Sequence, residues 1–150
     1  MGRINITTWI DASPETCFDL SRSVEAHIQS TPGTAERAID GVRTGLLGTG
    51  DHVTWEAVHF GCRWQMTVGI TDYDRPRYFV DEMIDGPFRS MRHFHGFLPD
   101  GSGTKMIDIF SFSSPAGWAG RIVDSLVLDR YMRRLLTQRI EILKATAESR

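Results

Sequence analysis

Arg63-Trp64-Gln65-Met66-Thr67-Val68-Gly69-Ile70-Thr71 is the stretch from which the fold is read. Trp64, Met66, Val68 and Ile70 alternate with Arg63, Gln65, Thr67 and Thr71. Successive side chains of a strand point to opposite faces, so this segment has one buried and one wetted face, as in an antiparallel sheet covered on one side. Working outward, the same short period recurs from about Ala38 to Ser113 and predicts six short strands. The breaks fall at Gly48-Thr49-Gly50-Asp51, Asp72-Tyr73-Asp74-Arg75-Pro76, Asp85-Gly86-Pro87 and Pro99-Asp100-Gly101-Ser102-Gly103. Each holds a residue suited to a positive or fixed φ. Strands joined this tightly are hairpin neighbours.

The flanks complete the order. Arg3 to Ile10 alternates, with Ile4, Ile6 and Thr8 on one face, and predicts a further strand. Asp11-Ala12-Ser13-Pro14-Glu15-Thr16 then predicts a helix beginning at Pro14. Ser13 can accept from an orphan N–H there, and the missing N–H of proline costs nothing at the first helical position. That helix carries Cys17, Phe18 and Leu20 and breaks before a second short helix around Val24 to Gln29, which Ser30-Thr31-Pro32-Gly33-Thr34 stops. After Ser114-Pro115-Ala116-Gly117 the pattern turns helical to the end. Ile122, Leu126, Val127, Tyr131, Leu135 and Ile142 recur at three- and four-residue steps, predicting a face covered by the sheet. Arg130, Arg133, Arg134, Gln138, Arg139 and Glu141 interrupt them and read as a solvated face.

With 150 residues, 41% hydrophobic and 24% charged, the chain reads as one soluble domain spanning 1–150, free of repeats and linkers. A chain of this size buries roughly 68–70% of its unfolded surface and needs neither disulfides nor a structural metal. A net charge of -2 argues against nucleic acid as partner, although residues 121–150 are +3 and the remainder -5. No apolar run reaches the ~20 residues of a membrane span, and Met1-Gly2-Arg3-Ile4-Asn5 alternates rather than opening a signal peptide, so the expected compartment is the cytoplasm. Cys17 and Cys62 neither demand an oxidising compartment nor supply a Cys-rich metal site, and both read as small core residues. There is no G-x-G-x-x-G, Walker or G-x-S-x-G pattern, and no cofactor is expected.

One strand, two short helices, six antiparallel strands and a long C-terminal helix resemble the START-like, polyketide cyclase-like (SRPBCC, helix-grip) superfamily. The local sequence is similar to a bacterial cyclase/dehydrase-like or ligand-binding branch of it. The resemblance rests on Asp81-Glu82-Met83-Ile84-Asp85-Gly86-Pro87-Phe88, Met91-Arg92-His93-Phe94-His95-Gly96-Phe97, Gly103-Thr104-Lys105-Met106-Ile107-Asp108 and Ser114-Pro115-Ala116-Gly117. Pro14-Glu15-Thr16-Cys17-Phe18-Asp19-Leu20, His27-Ile28-Gln29-Ser30 and Val53-Thr54-Trp55-Glu56-Ala57 fit as well, so it covers nearly the whole chain. Met91 departs from it, since the branch pattern has a Trp there, and this reshapes the expected pocket locally. The resemblance implies an α+β fold: a curved antiparallel sheet of about seven strands gripping the C-terminal helix, with a cavity between. It implies binding of lipids, polyketides or other hydrophobic small molecules, and in some members cyclisation or aromatisation of a polyketide. It fixes no reaction.

The candidate chemistry centres on a His-x-His pair. On a strand over 88–98, Met91, His93, His95 and Phe97 share one face and Arg92, Phe94, Gly96 and Leu98 the other. Arg92 is costly to bury and the family pattern alternates in the same sense, so the histidine face is taken as inward. The same parity places Asp108 with Met106, Phe110 and Phe112, Asp81 with Phe79 and Met83, and His59 with Val53, Trp55 and Ala57. Buried carboxylates need partners, and imidazoles supply them. Three readings stay open: a structural network, polar groups orienting a ligand in an apolar cavity, or general acid/base work by His93 or His95 with Asp81 or Asp108. A metal held by the pair plus His59 or an Asp is not expected, because a lone His-x-His lacks a third ligand in sequence reach. His27 reads as a charge at a helix C-terminus or, less favoured, as a residue at the cavity mouth, and Trp118 as either a lid or a staple.

The expected function is binding of a hydrophobic or aromatic small molecule, as carrier or sensor, rather than catalysis. The expected ligand residues are Trp55, His59, Trp64, Met66, Phe79, Asp81, Met91, His93, His95, Phe97, Asp108 and Phe110. A cyclase/dehydratase-type enzyme using the same His and Asp residues is the alternative. A protein-interaction module working through Arg133 and Arg134 of the last helix is a third class.

Overall fold

Apart from the caps and turns, each element follows from its period. The computed structural model describes residues 2–113 and 120–150, the side chains of 120–125 excepted. In order come β1 (Gly2–Ile10), α1 (Pro14–Ser21), α2 (Val24–Gln29), β2 (Arg37–Gly41), β3 (His52–His59), β4 (Cys62–Asp74), β5 (Tyr78–Asp85), β6 (Ser90–Asp100), β7 (Gly103–Ser113) and α3 (Gly120–Glu148). The strands form one antiparallel sheet in the order β1-β7-β6-β5-β4-β3-β2, so β1 reaches across to pair with β7 while all later strands pair with their sequence neighbours. Ser13 caps α1 by accepting from the Thr16 N–H at 3.2 Å, and Ser23 caps α2 by accepting from Ala26 at 3.1 Å.

The sheet is curved and its inner face carries the core. Phe18 of α1 is fully buried and meets Tyr73, Phe79 and Phe97 edge-on, with ring centroids 5.4, 5.2 and 5.4 Å away. This aromatic cluster packs α1 against the inner face of the sheet. Leu136, Ile140 and Ala147 of α3 are buried as well.

Four sequence expectations are corrected. The apolar face of α3 is displaced: Leu136, Ile140 and Ala147 carry its burial, whereas Leu126 is exposed and Val127, also exposed, lies at the cavity. Arg139, read as part of the wetted face, turns inward. Cys62 is exposed at the start of β4, while Cys17 is buried as expected. The break at 72–76 is shorter than expected, since β4 runs on to Asp74 and the turn closes with the Arg77 N–H donating to the Asp74 carbonyl at 2.7 Å. Ser114 to Gly117 and Trp118 lie outside the described residues, as does the side chain of Ile122.

Candidate functional site

Between the inner sheet face, α2 and α3 lies a cavity of about 730 Å³. Its floor is made by alternate residues of adjacent strands: Trp55 and His59 of β3, Trp64 and Met66 of β4, Phe79 and Asp81 of β5, Met91, His93 and His95 of β6, and Phe110 of β7. Ten of the twelve expected ligand residues therefore face one space. The other two do not. Phe97 shares their parity but sits under α1, packed on Phe18, on the same face. Asp108 lies behind the two histidines, beside a second void of about 20 Å³.

The polar heart of the site is built across three strands. In register, His93 lies opposite Asp81 and Phe110, and His95 opposite Phe79 and Asp108. Each imidazole nevertheless bonds the diagonal carboxylate: His93 Nε2 lies 2.9 Å from Asp108 Oδ1, and His95 Nε2 lies 2.7 Å from Asp81 Oδ2. His95 Nδ1 is 3.4 Å from Asp108 Oδ1. Crossing in this way stacks the two rings at 3.7 Å, with Phe79 on the outer face of His95 at 4.3 Å and Phe110 edge-on to His93 at 5.3 Å.

Burial works against charge on His95, but hydrogen bonds to Asp108 and Asp81 outweigh it and raise its pKa. His93 moves the other way, lowered by burial and then by the neighbouring His95 charge. Burial would raise both carboxyls, yet the imidazole partners hold Asp81 and Asp108 below the usual carboxylate range. These opposite directions favour the proton on His95, whose two ring nitrogens both face carboxylates. His93 Nε2 faces the Asp108 carboxylate, which leaves its Nδ1 as the one ring nitrogen of the pair with no partner among the described residues.

A second polar group faces the first from α2, the following loop and α3. His27 Nε2 lies 2.8 Å from Glu36 Oε1, and its ring stacks on Trp55 at 4.0 Å. The helix-end reading of His27 is thus corrected: its ring turns into the cavity and is kept neutral by burial first and by the charge of Arg139 second. Burial pushes the Glu36 carboxyl up, but His27, Arg139 and Thr31 together bring it down to about 2. Glu36 follows Ala35, which holds φ at 51°, a left-handed conformation that non-glycine residues seldom adopt.

The mouth is framed by the β3–β4 hairpin and α3. His59 Nδ1 meets the Tyr131 hydroxyl at 2.5 Å, and the Trp64 indole N–H donates to the His59 carbonyl at 3.0 Å. Phe60, half exposed with φ at 53°, lays its ring 4.4 Å from that of Tyr131. Sequence reading missed Glu36, Phe60, Tyr131 and Arg139 as cavity residues. A loop carboxylate after Ala35 and one arginine within an Arg-rich helix carry no periodic signal.

The family model for polyketide cyclases, dehydrases and lipid transport proteins matches residues 1–148. The chain belongs to this family. Among solved structures it is similar to the ZhuI aromatase/cyclase of Streptomyces sp. R1128, with 14% identity, a TM-score of 0.76 and coverage of 98% of this chain and 93% of that one. It is also similar to TTHA0849 of Thermus thermophilus, with 18% identity, a TM-score of 0.74 and coverage of 97% and 99%. Ginseng major latex-like protein 151 of Panax ginseng matches at 14% identity and a TM-score of 0.69, covering 97% of each chain. At these identities the likeness establishes the shared fold. No curated protein is similar in sequence at a significant level. No described helix is long and apolar enough to cross a membrane.

Within the polyketide cyclase, dehydrase and lipid transport fold, the arrangement limits what these side chains can do. Asp81, His93 and His95 bring ligand atoms within 4.8 Å of one another, the spacing of a metal triad. The two rings lie stacked, 3.7 Å apart and only 26° from parallel, so their in-plane lone pairs lie in two nearly parallel layers. Stacking of this kind disfavours in-plane coordination of one ion by both rings at the ~2.0–2.1 Å bonds of a histidine-bound metal. His95 has both nitrogens facing carboxylates, so neither is free to accept a proton from a ligand. His93 Nδ1 can accept a hydrogen bond or a proton.

Proposed function

We propose that this chain binds a hydrophobic or aromatic small molecule, lipid- or polyketide-like, between the curved sheet and α3, and acts as a cytoplasmic carrier or sensor. The observation that carries this reading is the cavity of about 730 Å³, walled by Trp55, Trp64, Met66, Phe79 and Phe110 and holding few charged groups. Small-molecule sites have this size and this composition, an apolar wall with a few placed polar groups. The ligand buries its apolar surface against the rings, and His93 and Asp81 fix its orientation. Family membership supports the reading, since the family includes lipid transport proteins.

A second reading, a cyclase/dehydratase-type enzyme, is favoured by one detail, the unpartnered His93 Nδ1. A base there would remove a proton beside a carbonyl, as suits a chain folded like an aromatase/cyclase. Native mass spectrometry of freshly purified protein, with organic extraction of what co-purifies, tests the first reading. A stoichiometric apolar adduct is expected. A bare protein mass that also fails to take up any of a panel of acyl chains and polycyclic aromatics would remove it. His93→Ala separates the two: a binder loses affinity a few-fold to tens of fold, whereas an enzyme loses turnover that follows an imidazole titration.

A further inference from the structure

We propose that Arg139 selects an acid-headed ligand: the molecule held in the cavity carries a carboxylate or a comparable oxyanion seated on the Arg139 guanidinium. This deepens the ligand-binding reading above and rests on it. Among the charged groups of the cavity, each carboxylate already holds an imidazole. Glu36 is bonded by His27, Asp81 by His95, and Asp108, behind the wall, by His93. Arg139 differs. It lines the cavity, its Nε is buried without a partner, and it forms no hydrogen bond or ion pair among the described residues.

A guanidinium offers five donors in a planar fork that matches the two oxygens of a carboxylate, and a buried donor left unmet, as the Nε of half-buried Arg139 is, is costly. Arg139 also stands on a helix whose neighbouring Leu136 and Ile140 are buried, so the fork is presented from a rigid base. Arg139 is therefore the charged side chain of the wall whose donors have no partner among the described residues. The remainder of the ligand, lying against Trp55, Met66 and Phe79, is apolar.

The test uses matched probes with one body and three heads: pyrene-1-butanoate, its primary amide and pyrene-1-butylamine, with dodecanoate, dodecanamide and dodecylamine as a second, slimmer set. Titrated into the full chain, the acid is expected to bind about ten-fold more tightly than the amide, and the amine most weakly. In Arg139→Met the advantage of the acid over the amide disappears; in Arg139→Lys, which keeps the charge and loses the fork, part of it remains. If Arg139→Met shows no cooperative thermal transition, Arg139→Gln takes its place. The proposal is overturned if the amide or the amine binds wild type as tightly as the acid, or if the advantage of the acid survives Arg139→Met. If no head of either set binds, the ligand-binding reading falls, and this one with it.

Discussion

At the scale of single residues, the buried pairs make stability depend on pH in opposite directions. Glu36 sits at about 2 in the folded chain against its ordinary 4.5. A carboxyl lowered on folding stabilises fully above its ordinary value and loses that contribution as pH falls toward the folded one. His27 and His93, held neutral by burial, add to the same acid loss from the imidazole range downward. His95 has the reverse sign: its raised pKa stabilises below the ordinary imidazole range and fades as pH rises through the folded value. Unfolding by urea across pH 3 to 6 should therefore show Glu36→Gln losing less stability than wild type toward the acid end. The difference should be about 2 kcal/mol by pH 3, since part of the window lies below it. Asp108→Asn tests the central pair. It removes the carboxylate shared by both rings, and about 3 kcal/mol of destabilisation is expected because the His95 charge is left poorly compensated. If the variant melts like wild type, the pair contributes little to stability.

At the scale of elements, the β3–β4 hairpin and α3 meet only through side chains at the mouth. The two-residue turn Phe60-Gly61 has both φ values positive, 53° and 72°, which the tight hairpin requires, since His59 pairs directly with Cys62. Glycine adopts this geometry freely, whereas a phenylalanine is strained there, and its ring lies against Tyr131. The strain is offset by a contact that closes the cavity. Tyr131→Phe removes the hydrogen bond to His59 and should cost about 1 kcal/mol in the melt. Stopped-flow displacement of a bound dye should show several-fold faster release. Unchanged release would mean that the ligand leaves elsewhere. The family order of elements was legible because each is encoded locally: Ser13 before Pro14 for α1, and strict alternation for β4. The face of α3 was not, because Leu126 and Val127 repeat at helical spacing whether or not a strand lies over them.

At the scale of the whole molecule, the cavity exists because the curved sheet and α3 enclose more volume than their side chains fill. Ala57 is a small buried residue on that wall. Ala57→Phe should fill part of the cavity, abolish adduct formation in native mass spectra and leave the thermal transition at or above that of wild type. Loss of the transition instead would mean that the space is already packed. The sheet half of the site was legible from the sequence, since the period of two places His93, His95, Asp81 and Asp108 on one face irrespective of loop detail. The same rule misplaced Phe97 in the ligand wall, because parity tells inside from outside but not the open end of the face from the end that Phe18 fills. Glu36, Arg139 and the partners of His27 come from a loop and from helices, whose positions over the sheet no local period encodes. By itself the sequence determined the element order and which residues of each strand share a face, because these follow from short-range periodicity and local turn chemistry, while the family was legible as a resemblance of local motifs. Only the tertiary structure decided which carboxylate each imidazole bonds, that the guanidinium of Arg139 points inward, and that a space remains between sheet and helix. Those outcomes depend on how distant elements pack.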